Sequence, residues 1–232
     1  MKTKNLLIMV LAVLFCNCSN RPEILPHEVM TGKVQGRVKT VTHYRYEAEE
    51  KFGQLSEGDM SSMDDEILPL FGEGNKRSTY NKDGSIKETV FFDDYGDTEA
   101  KVIYENEDNK ALGYYMYDED GELVGQMKYL YDEGKLSNLS IMIDEESMAL
   151  PYKYNAKENK VNVNLLMYTM DFYYDKNSLL AKISIPMLSS NEYTIKYVEF
   201  DKSGNWTKSI TYINENGVEK PIYISKQIIE YY

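Results

Sequence analysis

The chain has 232 residues and a formal net charge of −12, with 42% hydrophobic and 28% charged residues. This balance is typical of a globular protein and excludes a disordered chain, and the excess of acids argues against nucleic acid as a partner. Tyrosine is the unusual residue, with 21 copies against 7 Phe and 1 Trp. Because tyrosine favours strands and can keep its hydroxyl in water while its ring is buried, the composition predicts an extensive β-sheet.

The first residues have the pattern of a secretory leader. Lys2 and Lys4 precede an apolar run at 6–15, which is too short to span a membrane as a helix. Cys16 and Cys18, the two cysteines of the chain, close this run. A cysteine in this place resembles the lipobox of bacterial lipoproteins, in which the leader is cleaved before the cysteine that carries lipid. We predict a signal peptide at 1–17 and lipidation of Cys18, with Cys16 as the runner-up and an ordinary signal peptide as the competing interpretation.

The lipobox resemblance implies a protein held on the bacterial outer membrane by its lipid, in a leaflet that the sequence leaves open. Residues 18–30 contain Pro22 and Pro26 and show no hydrophobic period. They are predicted to be the lipidated cysteine and a flexible tether, with His27 in solvent.

Residues 31–232 are predicted to form one β-domain. Alternation over 31–46 indicates a strand, in which His43 is a satisfied or exposed strand residue and not a metal ligand. Residues 47–75 break the pattern and are predicted to be a loop insertion, with a short helix near 60–66 capped by Ser56 or Asp59. This insertion is the first candidate for a functional loop, the alternative being a plug for an open end of the sheet.

A strand–turn–strand unit recurs through the rest of the domain. In residues 115–124 alternating aromatics lead to Asp118, the turn residue Gly121 and a new apolar run. Equivalent aromatics follow at 80, 92, 104, 117 and 131, so the steps suit short strands joined by tight turns. The turn acid is expected to accept backbone N–H groups, and glycine to adopt positive φ. We predict an all-β antiparallel meander of consecutive hairpins, as a curved or twisted sheet, a barrel-like form or two layers.

The motif at 117–123 and its variant at 200–206 resemble the YD repeats of Rhs-type bacterial envelope proteins. The chain is more similar to short envelope lipoproteins that carry a few degenerate copies. This resemblance implies an envelope protein and identifies no catalytic residue. Because the chain has no long repeat array or toxin domain, toxin encapsulation is not implied.

No catalytic, metal-binding or cofactor-binding pattern is found, since the chain contains 2 His and its 2 Cys lie in the leader. The sequence therefore predicts a non-enzymatic binding or interaction module for a glycan or an envelope protein. Trp206 is the candidate ligand contact, and the competing interpretation is a core residue equivalent to Leu123. The alternatives are a purely structural or immunity-type protein, or a polysaccharide hydrolase that uses Asp64, Asp65 and Glu66.

Overall fold

The computed structural model describes residues 24–29, 32–61, 74–107, 110–143, 146–165, 168–186, 192–215 and 217–232. These residues form fifteen strands and one turn of 3₁₀ helix at Pro26–Glu28. The strands are β1 (Val38–Lys51), β2 (Gln54–Met60), β3 (Lys76–Tyr80), β4 (Ile86–Phe92), β5 (Thr98–Glu107), β6 (Lys110–Asp118), β7 (Leu123–Asp132), β8 (Lys135–Ile143), β9 (Glu146–Asn155), β10 (Lys160–Leu165), β11 (Tyr168–Tyr174), β12 (Leu180–Ser184), β13 (Glu192–Phe200), β14 (Trp206–Glu215) and β15 (Val218–Tyr231).

The strands form a closed antiparallel barrel. From β3 to β15 each strand pairs with its neighbours in sequence, and β15 pairs with β1, which also pairs with β3. Within the described residues β2 pairs with β1 alone, so the closed ring contains 14 strands. The predicted antiparallel meander is confirmed. Of the three predicted forms, a curved or twisted sheet, a barrel and two layers, the structure has the barrel.

The barrel is closed by its two longest strands. β1 and β15 each contain 14 residues and pair from Val38 to Glu47 of β1. On its other edge β1 pairs first with β3, from Thr40 to His43, and then with β2, from Tyr46 to Lys51. β1 therefore extends beyond the ring, and its outer half forms a projecting hairpin with β2.

Side chains alternate between the interior and the outer wall of the barrel, as the pleat of a strand requires. The interior carries the apolar set, and fully buried examples are Met127, Leu139, Leu150, Val163 and Phe172. Buried residues of this kind form one continuous cluster across β4 to β12. The barrel is therefore a packed core and not an empty tube.

The meander places alternate turns at opposite ends of the barrel. We call the end that carries turns 81–85, 155–159, 175–179 and 201–205 the first end. The second end carries turns 93–97 and 118–122, together with the tip of the β1–β2 hairpin at Phe52 and Gly53.

The structure corrects the predicted loop insertion at 47–75. Residues 47–51 continue β1, and β2 follows after a tight turn. Ser56 and Asp59, predicted as helix caps, lie within β2. Most of the predicted helix, and residues 62–73 as a whole, lie outside the described residues.

The predicted flexible tether at 18–30 is also corrected. Residues 24–29, which are the part of it that the structure describes, are folded inside the barrel. Ile24 and Val29 are 5% and 0% exposed and belong to the core cluster. The Tyr152 hydroxyl donates to the Ile24 carbonyl at 2.6 Å, and the Tyr174 hydroxyl donates to the Val29 carbonyl at 3.1 Å. Inward-facing tyrosines thus satisfy backbone carbonyls that would otherwise be buried without partners. We call residues 24–29 the inner segment.

The turn chemistry predicted from the repeat is confirmed. Asp118 accepts from the Glu122 N–H at 2.8 Å, and Asp175 accepts from the N–H groups of Asn177 and Leu179 at 2.8 and 2.9 Å. Gly121 has φ of +84°, the conformation that this turn requires. The acids of the repeat therefore shape hairpins.

Candidate binding pocket at the first end

The outer wall of the barrel is rich in ion pairs between neighbouring strands. Lys101 pairs with Glu88 at 3.0 Å, and Lys160 with Asp171 at 3.3 Å. The Lys182 ammonium lies 4.5 Å from the centre of the Tyr173 ring. Charged groups at this density along the strands suit an outer wall in contact with water.

Within the part of the chain that the structure describes, no helix is long and apolar enough to cross a membrane.

The interior is lined with tyrosines around the inner segment. The rings of Tyr104 and Tyr114 meet edge to face at 5.6 Å, and Tyr114 and Tyr129 at 6.5 Å. Burial raises the pKa of Tyr104 to about 12 and that of Tyr114 and Tyr129 well above the ordinary value. These phenols therefore stay neutral and pack as uncharged rings in the interior.

The inner segment brings two titratable side chains into this interior. The ring of His27 lies 5.3 Å from that of Tyr104, and burial together with the charges of Lys76 and Lys33 lowers the pKa of His27 to about 3. The predicted position of His27 in solvent is thus wrong. Burial raises the pKa of Glu28, whose carboxylate accepts from the Leu25 N–H at 3.0 Å.

The chain leaves the interior at the first end, where Asn205 holds it. Gln35 N–H donates to Asn205 Oδ1 at 2.7 Å, and Asn205 Nδ2 donates back to the Gln35 carbonyl at 2.9 Å. Asn205 Nδ2 also donates to the Tyr231 hydroxyl at 2.8 Å, and that hydroxyl donates to Asp201. A turn of the repeat, the last strand and the N-terminal segment are joined here by one hydrogen-bond network.

The pKa of Asp201 reflects this network. Burial raises the pKa, but hydrogen bonds from Tyr231, Asn205 and Ser203 outweigh burial, and the net pKa lies below the ordinary value. Asp201 is therefore ionised at neutral pH and serves as the acceptor at the centre of the network.

A pocket of about 350 Å³ opens beside this network. Its lining combines the N-terminal segment, two turns and three strands, and includes Lys33, Gln35, Asn177, Phe200, Trp206 and Gln227. An adjoining pocket of about 280 Å³ extends to Glu28 and Ser178 and shares four lining residues with the first: Lys33, Val34, Gln35 and Asn177. We call the larger cavity the mouth pocket.

Trp206 lies at the buried side of the mouth pocket. It is 4% exposed, and its ring contacts His43 edge to face at 5.8 Å and Tyr197 at 5.4 Å. Leu123, which occupies the equivalent position in the repeat, is 53% exposed. Trp206 is thus a core residue that also lines a cavity, and its role as a ligand contact stays a prediction.

Gln227 is another buried residue of the pocket lining, besides Trp206 and Asn205. It is 5% exposed, and its Nε2 has no hydrogen-bond partner among the described residues. A buried amide donor without a partner carries a desolvation penalty, so such groups are rare unless a ligand or a water completes them. Gln227 therefore leaves one buried donor in the wall of the mouth pocket without a described acceptor.

The other predicted site residues divide into two sets. His43 is 4% exposed and its Nδ1 lies 2.9 Å from the Gly74 carbonyl, which confirms a satisfied strand histidine. Cys16, Cys18, Asp64, Asp65 and Glu66 all lie outside the described residues. Among the residues that are described, no cluster of three His, Cys, Asp or Glu side chains could hold a metal ion.

Sequence reasoning missed most of the pocket, including Lys33, Asn177 and Gln227. These residues come from distant parts of the chain and meet because the barrel closes and the N-terminal segment folds into it. One available signal was the interruption of an apolar alternation in the last strand by Gln227, which faces inward opposite His43.

Comparison with known proteins gives a likeness of structure. The chain matches no family model and no curated protein. It is similar to a crystal structure of a porin-like protein from Bacteroides uniformis, with 11% identity and a TM-score of 0.47, over 85% of this chain and 99% of that chain.

Proposed function

We propose that this protein is a non-enzymatic, lipid-anchored protein of the bacterial outer membrane that binds an envelope ligand through the mouth pocket. The observation that carries the binding role is Gln227, a buried donor without a described partner on the lining of a 350 Å³ cavity. The mouth pocket is a concave feature that combines aromatic surface with this donor, as small-molecule sites do. The proposed kinship is with short lipoproteins that carry degenerate YD repeats.

The anchor is tested by following lipid on the protein in bacteria. With radiolabelled palmitate, the unaltered chain and Cys16→Ser should both take up label and sediment with membranes. Cys18→Ser should lose the label. Label that survives Cys18→Ser and is lost in Cys16→Ser would assign the anchor to Cys16, and absence of label in every variant would remove the lipid anchor.

The binding role is tested in the envelope with a photo-crosslinking amino acid. Placed at Phe200, which is 50% exposed on the pocket rim, it should capture a discrete envelope component. Placed at Tyr95, which is 92% exposed at the second end, it should not. Equal capture at both positions, or none at either, would contradict a binding role for the mouth pocket.

A purely structural or immunity-type role is the second candidate, and the packed, ion-paired barrel favours it. Such a protein would bury a broad surface against one partner and would not depend on a small pocket. Crosslinks distributed over the outer wall, for instance at Lys153 and Lys220, with none at Phe200, would support this role.

A further inference from the structure

Within the proposed binding function, we propose that the ligand of the mouth pocket is a neutral saccharide of one or two rings. This inference depends on the mouth pocket being a binding site and adds the chemical class of its ligand.

The charge of the lining favours an uncharged ligand. No acidic side chain is among the residues that line the mouth pocket, although the whole chain has a net charge of −12. Lys33 is the one charged residue of this lining, and its side chain is exposed at the rim. The lining of the mouth pocket provides no acidic side chain to pair with a cationic ligand. An anionic ligand could pair only with Lys33, and an ion pair in solvent stabilises little.

The polar groups of the lining suit hydroxyl groups. Gln227 Nε2 is a buried donor that needs an acceptor, and a sugar hydroxyl can accept from it. Asn177, exposed at the rim, offers a second amide in the same lining. An acyl chain or an apolar peptide side chain would leave the Gln227 donor without a partner, so such ligands are disfavoured.

Aromatic rings supply the apolar surface that a sugar ring also needs. Phe200 is half exposed at the rim, and Trp206 closes the buried side. A pyranose carries C–H groups on its faces and hydroxyls on its edge, so it can pack against rings while its edge reaches amides. The mouth pocket presents both kinds of surface within one small cavity.

The volume sets the length of the ligand. At about 350 Å³ the mouth pocket lies near the lower end of the range for small-molecule sites, about 300–1,000 Å³. The mouth pocket has room for one sugar ring, and the adjoining 280 Å³ cavity, which shares four lining residues with it, has room for a second.

The single tryptophan of the chain makes the test direct, because Trp206 lines the pocket. The mature protein is titrated with glucose, galactose, N-acetylglucosamine, maltose and lactose while its tryptophan emission is followed. At least one sugar should produce a saturable change. Gln227→Leu should lower the affinity for that sugar roughly three- to tenfold, as expected for the loss of one neutral hydrogen bond. Phe200→Ala should also lower this affinity. Tyr95→Ala, an exposed aromatic at the other end, should bind like the unaltered protein.

Stability separates a ligand contact from a structural residue. Because Gln227 Nε2 has no described partner, Gln227→Leu should leave the thermal midpoint unchanged or raise it. Absence of an emission change with all five sugars would overturn the inference, and so would binding that neither variant weakens. If crosslinking from Phe200 still captures an envelope protein in the first case, the proposed binding function stands and the saccharide class fails.

Discussion

At the scale of single residues, His27 links the folding of the inner segment to pH. Its pKa is about 3 in the folded protein and about 6.5 in an unfolded chain. As pH falls below 6.5 the unfolded chain takes up the proton first. The stability that His27 contributes is therefore complete above pH 6.5 and is lost progressively as pH falls toward 3.

The prediction is that lowering the pH from 7 to 5 reduces the free energy of unfolding by about 1–2 kcal/mol through His27. In His27→Gln, which cannot be protonated, this part of the loss should be absent. Urea unfolding at the two pH values measures the difference. Glu28 is kept in both proteins because its raised pKa acts in the opposite sense: its contribution is present below pH 4.5 and is lost as pH rises through its folded pKa. Equal losses in the two proteins would contradict the burial of His27.

At the scale of the hairpin element, each turn acid should contribute to the free energy of unfolding in proportion to the number of hydrogen bonds that it accepts. Asp118 accepts one backbone N–H, from Glu122. Asp201 accepts from Ser203 and Asn205 at 2.8 and 3.0 Å and also from the Tyr231 hydroxyl. We expect Asp118→Ala to cost about 1 kcal/mol of stability and Asp201→Ala about 2–3 kcal/mol.

Chemical unfolding of both variants measures this order, and Asp201→Asn, which keeps an acceptor oxygen, should recover part of the loss. The difference matters for the barrel because Asp201 connects a turn of the repeat to the closing strand through Tyr231. A larger cost for Asp118→Ala would mean that the turns act independently of barrel closure.

A second prediction at this scale concerns Gly113 in β6. Its φ is +146°, and a Cβ placed there would lie 2.0 Å from the Met127 carbonyl oxygen of β7. Gly113→Ala must therefore push the two strands apart, and we expect a loss of about 3 kcal/mol from the clash and the backbone strain together. Gly217→Ala is the matched control, since φ there is +85° and nothing lies within 4 Å. That control should cost about 1 kcal/mol, and similar losses in the two variants by thermal unfolding would contradict the close β6–β7 packing.

Local chemistry explains what could be read from the sequence at this scale and what could not. The turns were predictable because Asp118 and Gly121 determine the hairpin within a few residues. The continuation of β1 through Glu47, Glu49 and Glu50 was not predictable, because acidic residues are uncommon in strands. This part of β1 is held in the sheet by its pairing with β2. Pro22 and Pro26 likewise indicated a tether, whereas burial of the inner segment depends on the interior that distant strands provide.

At the scale of the whole molecule, barrel closure determines the candidate site. Alternation and turn spacing predict a meander, but an open sheet, two layers and a barrel share that pattern. The choice between them depends on the pairing of β1 with β15, whose residues are about 190 positions apart along the chain. The mouth pocket exists because of that pairing, so the sequence shows Trp206 only as an isolated aromatic and Gln227 only as a polar interruption of the last strand.

The last prediction combines the proposed anchor with the position of the inner segment. Ile24 lies beside the turn residues Asn177 and Ser178 of the first end. A chain lipidated at Cys18 has five residues between the anchor and Ile24, and these six Cα–Cα steps span at most about 20 Å when fully extended. The first end should therefore face the bilayer closely, while the second end lies farther away by the height of the barrel, roughly 25 Å for tilted strands of about ten residues.

Two single-cysteine variants measure this orientation on lipidated protein in vesicles. A fluorophore is attached at Lys202→Cys, in the turn at 201–205 of the first end, or at Tyr95→Cys, in the turn at 93–97 of the second end. Nitroxide groups on the lipid heads should quench the first fluorophore strongly and the second weakly, and neither in Cys18→Ser. Equal quenching at the two positions would mean that the barrel tumbles on a longer tether, and the inner segment would then have to leave the interior when the protein is anchored. Strong quenching at Lys202→Cys alone would mean that the mouth pocket opens toward the membrane, so that its ligand must be small enough to enter that gap or be presented from the bilayer itself.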